Sequence, residues 1–283
     1  MVSARTRSEQ ACYAIGRGLS QRRACALLSI SRSNLTYVHK MPEKDVPVIN
    51  AMKALSGTYP RFGSRRIRVF LQRNGIQIGK ERCSRLWAKA GLQVPKKRRR
   101  KVAGQRFRPV MPTARNSVWS YDFVYDSCAN GQKIKCLTVI DEYTRECLAI
   151  DVAGAIRSQR VIDVLTRLMS IHGIPRHLRS DNGPEFVSKA LLEWTIQQSL
   201  ELVLIETGKP WQNGANESFN GKFRDECLSM EWFRHRLEAK VLIEDWRLHY
   251  NNVRPHSSLN YETPSEFKLK LGNYLTIGAN FSM

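Results

Sequence analysis

Three acidic residues, Asp122, Asp181 and Glu217, stand where a carboxylate could take part in chemistry. Asp122 interrupts an apolar stretch, where an unpaired carboxylate is costly. Asp181 follows a short predicted strand, and Glu217 lies one turn inside a predicted helix. Carboxylate oxygens select Mg²⁺ or Mn²⁺, and two such ions can clamp the attacking and leaving oxygens of a phosphoryl displacement. No His and Cys set has the spacing of zinc ligands, which disfavours a zinc nuclease.

Each of these acids also has an ordinary interpretation. Asp122 could be a strand-edge turn residue, Asp181 a generic turn residue and Glu217 a solvated helix acid. The joint placement of the three is therefore the signal. Four further acids compete with them, and for these we expect salt bridging or solvation: Asp126, Glu185, Asp225 and Glu226.

The elements that must position the acids follow from the pattern of apolar residues. Strands are predicted over 118–124, 133–140, 147–152, 177–180 and 202–205, and helices over 161–173, 189–200, 213–230 and 237–250. The order predicts an α/β fold, with a mixed five-stranded sheet flanked by helices on both faces. In the 213–230 helix, the spacing places Asn213, Glu217, Asn220 and Arg224 on one face and Phe219, Phe223 and Cys227 on a core face.

Charge is distributed very unevenly along the 283 residues, whose formal net charge is +21. Residues 1–115 hold 27 Lys and Arg against 4 Asp and Glu, whereas residues 116–283 hold 19 against 21. This disfavours an ordinary metabolic enzyme and indicates a nucleic-acid-binding front end. The basic run 96–101 predicts a linker over 95–115 that lies along phosphates. Seven cysteines without a C-x-x-C pair fit a reducing cytosol, and no signal peptide or membrane span is predicted.

Two stretches of the front end are typical of helix-turn-helix units. In the first, Ser20 caps a helix whose Ala24, Leu27 and Leu28 face inward, and residues 29–31 form the turn before a second short helix. In the second, one helix buries Ile67, Phe70 and Leu71 and ends at Asn74-Gly75. The next helix buries Cys83, Leu86, Trp87 and Ala90 and ends at Gly91. A helical hairpin with a solvated basic face is the alternative. The candidate DNA-contact residues are Arg65, Arg66, Lys80, Arg82, Arg85, Lys96, Lys97, Arg98, Arg99, Arg100, Lys101, Asn213 and Arg224.

Several blocks resemble the insertion-sequence-3 family of transposases in its OrfB form, which is related to retroviral integrases. They are Tyr121-Asp122-Phe123, the run 180–186 from Ser180 to Phe186, the run 217–221 from Glu217 to Gly221, and the run 250–259 from Tyr250 to Leu259. Thirty-five residues separate Asp181 from Glu217, and Arg224 follows Glu217 by seven positions, as in that family. Ala215-Asn216 departs from the bulky apolar residues expected before the glutamate. For His256 two interpretations stay open, contact with a phosphate or capping of a buried turn.

The resemblance implies an RNase H-like catalytic core over 116–268, preceded by helix-turn-helix segments at 1–42 and 43–94 and followed by a tail at 269–283. It implies a DDE transposase in which Asp122, Asp181 and Glu217 bind two Mg²⁺, or Mn²⁺, for 3′-end cleavage and strand transfer of terminal inverted repeats. It also implies at least a dimer on double-stranded DNA, an upstream-frame protein or its fusion as a partner, and a place in the bacterial cytoplasm, at the nucleoid. The alternatives are a non-catalytic DNA-binding regulator and an RNase H-like nuclease.

Overall fold

The computed structural model describes residues 4–36, 41–95, 110–206 and 210–279. The chain divides into two compact units, one of residues 1–60 with 70–93 and one of residues 61–69 with 94–283. Six residues of the predicted DNA-contact set, Lys96–Lys101, lie outside the described residues. None of the helices in the described ranges combines the length and the apolar character needed to cross a membrane.

The front end is helical. Its elements are α1 (Ala4–Gly16), α2 (Gln21–Leu27), α3 (Ser33–Thr36), α4 (Met41–Thr58), α5 (Ser64–Arg73) and α6 (Lys80–Lys89). The predicted cap of α2 is confirmed, because the Ser20 hydroxyl accepts a hydrogen bond from the Arg23 amide. The inward placement of Leu27 is wrong: this side chain is 74% exposed, while Ala24 and Cys25 are buried. Helix α1, which the sequence did not predict, packs against α2 and determines which face is covered.

The apolar faces predicted for α5 and α6 are confirmed. Ile67, Phe70 and Leu71 are buried in α5, and Cys83, Leu86 and Trp87 are buried in α6. Both predicted stops are also confirmed, since Gly75 and Gly91 follow these helices with positive φ angles of 82° and 69°. Such angles suit glycine, which has no Cβ to clash.

The sheet contains β1 (Val118–Ser127), β2 (Lys133–Asp141), β3 (Cys147–Ala153), β4 (His177–Ser180) and β5 (Glu201–Leu204). The strand order is β3-β2-β1-β4-β5, with β1, β2 and β3 antiparallel and β4 parallel to both β1 and β5. The predicted mixed five-stranded sheet is therefore confirmed, and its order is that of an RNase H-like fold. The central position of β1 places Asp122 in the middle of the sheet, opposite Thr138 of β2.

Helices cover both faces of this sheet, as predicted. They are α7 (Ser158–His172), α8 (Lys189–Gln197), α9 (Gly214–Phe223), α10 (Arg236–Asn252) and α11 (Pro264–Ala279). One apolar core includes Trp119 and Tyr121 of β1 together with Leu165 of α7. The other joins Val124 of β1 to Phe219 and Phe223 of α9. Alternate residues of β1 thus reach opposite cores, which is the period of a strand.

The helix predicted over 213–230 is observed, but it is α-helical only over Gly214–Phe223. A 3₁₀ turn at Pro210–Asn213 precedes α9, and a π-helical turn at Arg224–Leu228 follows it. A π turn inserts one residue into the helical repeat. Cys227 and the adjacent Leu228 are both buried as a result, whereas Arg224 stays exposed.

Candidate active site

Asp122 is held rigidly in the centre of β1. Its Oδ1 accepts a hydrogen bond from the Phe123 amide at 2.7 Å, and its Oδ2 accepts one from the Asn220 side-chain amide at 2.9 Å. The side chain is only half-buried, because it lies where β1 passes under α9. Both carboxylate oxygens therefore have a fixed direction before any ligand arrives.

Asn220 and Thr138 form a buried polar support beneath Asp122. Asn220 is 7% exposed and Thr138 is fully buried. The Thr138 hydroxyl oxygen lies 3.1 Å from Asn220 Oδ1 and 3.1 Å from the Asp122 carbonyl oxygen, so its single proton bonds one of them at a time. The sequence analysis assigned no role to either residue. Two signals were present, since Asn220 follows Glu217 by one helical turn and Thr138 is the cross-strand partner of Asp122.

Asp181 lies at the adjacent strand end. It follows β4, which is the parallel neighbour of β1, and its side chain is exposed. Its Oδ1 accepts a hydrogen bond from the Gly183 amide at 3.0 Å, which closes the predicted Asp-Asn-Gly turn. A Cβ on Gly183 would stand 3.1 Å from this oxygen and 3.3 Å from the Phe186 ring. The turn therefore leaves little room for a side chain at this position.

Glu217 projects from the first turn of α9. The carboxylate is exposed, while Phe219 and Phe223 on the other face are buried, with 1% and 0% of their surface exposed. Those two rings pack against Trp246 of α10, which fixes the rotation of α9 about its axis. The predicted core face of this helix is confirmed. Asn213, predicted to share the face of Glu217, is buried and 3% exposed.

The electrostatics link the three acids to one another. The pKa of Asp122 is raised to about 6, mainly by burial and also by the negative charges of Asp181 and Glu217, against the opposing effect of the bonds from Phe123 and Asn220. The three carboxylates are thus near enough to repel. Within the described ranges, no three His, Cys, Asp or Glu side chains are grouped closely enough to ligate one ion as they stand. The donors still fit a hard divalent cation, because all three are oxygen ligands and two belong to exposed side chains.

The competing acids are mostly occupied by cations. Glu185 pairs with Lys135, whose ammonium also lies 3.8 Å from the Phe123 ring centroid. Glu226 binds Arg254 through both carboxylate oxygens at 2.6 and 2.5 Å. Asp225 lies 3.9 Å from Arg61, and Asp126 accepts a bond from the Ser127 amide. The expectation of salt bridging is confirmed for Glu185 and Glu226.

The predicted DNA-contact residues differ in accessibility. Arg65, Lys80, Arg85 and Arg224 are exposed. Arg82 donates to Asp45 at 2.7 Å, and the Arg66 side chain is 24% exposed. Arg65, Lys80, Arg85 and Arg224 are therefore accessible to a nucleic acid as they stand, Arg82 is held in a short ion pair, and Arg66 is partly accessible.

The C-terminal block around Arg254 and His256 is part of the scaffold. Asn251 accepts a bond from the Cys147 amide at 2.9 Å and donates to the Cys147 carbonyl at 2.8 Å, so it extends the edge of β3. The His256 ring nitrogen Nε2 lies 3.2 Å from the Tyr250 carbonyl, and its ring meets the Tyr250 ring edge to face. Burial and the nearby Arg254 lower the pKa of His256 to about 2. Of the two interpretations of His256, the structure favours the capped buried turn.

Comparison with known proteins decides the family. Two models described as integrase core domains match residues 112–210 and 198–264. An insertion element IS407 protein of Burkholderia multivorans is 43% identical over 253 residues, which cover 89% of this chain and 91% of the relative. An insertion element IS476 protein of Xanthomonas euvesicatoria is 42% identical over 93% of this chain and 75% of its own length. The chain belongs to the insertion-sequence-3 family of transposases.

More distant relatives of this family member are similar over most of its length. The putative transposase InsK of insertion sequence element IS150 of Escherichia coli is 25% identical over 84% of this chain and 90% of the relative. Among solved structures, the HTLV-2 integrase catalytic core in complex with magnesium is 17% identical with a TM-score of 0.42. That match covers 56% of this chain and 99% of the viral one.

Proposed function

We propose that this member of the family is a DNA transposase that cleaves the 3′ ends of its insertion element at the terminal inverted repeats and joins them to target DNA. One observation carries the proposal. Asp122, Asp181 and Glu217 come from a central strand, the neighbouring strand end and a helix, and the charges of Asp181 and Glu217 both act on Asp122. Such a set of oxygen donors suits phosphoryl transfer.

The three acids have different mechanical roles in this proposal. Asp122 is the fixed ligand, because Asn220 and the Phe123 amide orient its two oxygens. Asp181 and Glu217 are the adjustable ligands, since both are exposed. Two Mg²⁺ ions, or Mn²⁺, bound by these three residues would activate the attacking oxygen and stabilise the leaving 3′ oxygen. By holding the ions, the three carboxylates would position the reacting groups, and this positioning would supply much of the rate.

The DNA partner would be bound by the basic front end. Arg65, Lys80 and Arg85 are exposed on α5 and α6, and Arg224 is exposed beyond Glu217. The linker over 95–115, with its run Lys96–Lys101, supplies further charge for phosphates. Two ends of the element must meet before they are joined, so we propose at least a dimer on DNA. We also propose as a partner the protein of an upstream reading frame, or a fusion of that protein with this chain.

The test is a joining reaction with a labelled duplex that carries the terminal repeat of the element, with Mg²⁺ or EDTA. It is run for the chain alone and with the upstream-frame protein added. Glu217→Gln is compared with Glu193→Gln, which removes an exposed acid that is paired with Lys189 of α8 among the described residues. We expect metal-dependent cutting and joining by the wild type and by Glu193→Gln, and neither by Glu217→Gln.

The other outcomes separate the alternatives. Binding of the duplex without any cutting, in the presence of both metal and the upstream-frame protein, would support the regulator. Cutting without joining would support a nuclease. Full activity of Glu217→Gln would remove Glu217 from the proposed set of ligands.

A further inference from the structure

A cavity of about 410 Å³ lies beside Gly221 and Lys222 of α9. Its walls include three basic side chains, Arg61, Arg66 and Lys222, two acidic ones, Asp225 and Glu226, and Pro95. All of these residues belong to the same compact unit of the chain. In the sequence, Pro95 is followed directly by the basic run Lys96–Lys101.

The acids of the cavity do not neutralise its cations. Glu226 is committed to the buried Arg254 by two short bonds, and Arg66 lies 3.7 Å from the same carboxylate. Asp225 is 3.9 Å from Arg61, with both side chains about two-fifths exposed, so this pair is weak. Lys222 donates to the Ser218 hydroxyl at 2.9 Å, and no described carboxylate lies within 4.0 Å of its ammonium. Positive charge therefore exceeds negative charge around the cavity.

This excess has a physical consequence for Lys222. The pKa of its ammonium is lowered to about 8, mainly by burial and also by the positive charges of Arg254, Arg66 and Arg145, while Glu226 opposes them. Burial and Arg254 also lower the pKa of Arg66. An anion in the cavity would compensate these charges and stabilise both cations.

The wall that carries Arg66 is well anchored. Phe62 is 4% exposed, and the guanidinium groups of Arg66 and Arg254 lie 5.1 and 5.7 Å from the centre of its ring. Stacked arginines keep their donors in a fixed plane, which suits a phosphate with several acceptor oxygens. The Phe62 ring thus restrains the Arg66 guanidinium in the wall of the cavity.

We infer that this cavity binds a phosphate of the DNA backbone through Arg66 and Lys222. The inference rests on the proposed function for its ligand. Lys222 follows Glu217 by five residues, which is about 7.5 Å along the axis of α9 and about 140° around it. The phosphate bound here is therefore one that flanks the reaction site, and Lys222 contributes to DNA affinity rather than to the chemical step.

The experiment measures duplex binding in EDTA, where no chemistry takes place, by fluorescence anisotropy at several salt concentrations. Lys222→Gln is compared with Lys222→Arg and with Lys240→Gln, which removes the same charge from an exposed position of α10. One lost phosphate contact reduces the slope of log affinity against log salt by about 0.9 and weakens binding about five- to tenfold at 0.1 M salt. We expect this for Lys222→Gln and not for the other two variants.

A second readout identifies the ligand and guards against a misfolded variant. Lysine acylation of the wild-type protein is followed by mass spectrometry with the duplex, with inorganic phosphate or with neither. Protection of Lys222 by the duplex, with Lys240 still reactive, supports the inference. Protection by inorganic phosphate but not by DNA overturns it, and so does equal salt dependence of Lys222→Gln and Lys240→Gln. If the wild type does not join DNA, while the salt dependence of Lys222→Gln and the protection of Lys222 are as expected, the proposed function alone is refuted.

Discussion

Two sequence blocks that resemble the same family behave in opposite ways in this molecule. The acids Asp122, Asp181 and Glu217 are half-buried or exposed, and their charges repel one another. Asn251, Arg254 and His256 of the C-terminal block are buried, and each has a partner inside the protein. Removing one partner of a buried ion pair destabilises the fold, whereas charge that is left uncompensated near the surface is available for a ligand. Burial and pairing thus distinguish the C-terminal block, which is part of the scaffold, from the candidate catalytic acids, whereas the sequence motifs alone do not.

The largest effect on stability is expected from Arg254→Met. This change leaves the Glu226 carboxylate, whose side chain is 8% exposed, without its bidentate partner. Breaking a buried ion pair on one side costs about 3–5 kcal/mol of unfolding free energy. Urea unfolding measures it, and the double variant Arg254→Met with Glu226→Gln should recover part of the loss. Equal stability of the single variant and the wild type would contradict the scaffold role of the block.

Asp122→Asn should lower activity without lowering stability. The amide cannot replace a carboxylate as a ligand, so we expect the joining rate to fall by about 10²- to 10³-fold, or about 3–4 kcal/mol in activation free energy. Stability should not fall, because the change removes a partly buried charge that Asp181 and Glu217 oppose. Urea unfolding beside the joining assay checks both parts. A destabilised variant with normal activity would place Asp122 among the scaffold residues.

Much of the fold and the candidate acids could be predicted from the sequence. The strands, the mixed sheet and the candidate acids follow from apolar alternation and from carboxylates in unexpected places. Helices α1 and α4 were missed, because α1 is not strongly amphipathic and α4 contains Pro47. The π-helical character of the turn at Arg224–Leu228 was not predicted either. Roles that depend on contacts across the sheet, such as that of Asn220, require the structure.

Asn220→Ala tests the positioning of Asp122 and should have a smaller effect. Removal of its 2.9 Å bond lets the carboxylate rotate, and loss of such an outer hydrogen bond typically costs 10- to 100-fold in metal affinity or rate. The matched control is Asn130→Ala in the exposed turn between β1 and β2. A metal titration of the joining reaction should shift its midpoint upward for Asn220→Ala only. A lower stability with an unchanged midpoint would assign Asn220 a purely structural role.

The smallest effect concerns acid pH. His256 has its pKa lowered to about 2 in the fold, so below the ordinary histidine value near 6.5 the unfolded chain takes up a proton that the folded chain does not. The stability that neutral His256 contributes is therefore present above about pH 6.5 and is lost as the pH falls. At pH 5.5 the loss from this group is about 1.4 kcal/mol. Urea unfolding at pH 7.5 and 5.5 should show a smaller pH dependence for His256→Asn than for the wild type; an identical dependence would show that the pKa of His256 is the same in the folded and unfolded chains.

The central claim, that Asp122, Asp181 and Glu217 together form a cation site, is tested most directly by calorimetric titration of the purified protein with Mn²⁺. The wild type and Glu193→Gln are compared with Asp122→Asn, Asp181→Asn and Glu217→Gln, in the absence of DNA and again with the terminal-repeat duplex present. The account predicts saturable Mn²⁺ binding to the first two proteins and at least a tenfold weaker binding to each of the other three. Equal binding by all five proteins, with DNA present, would contradict it.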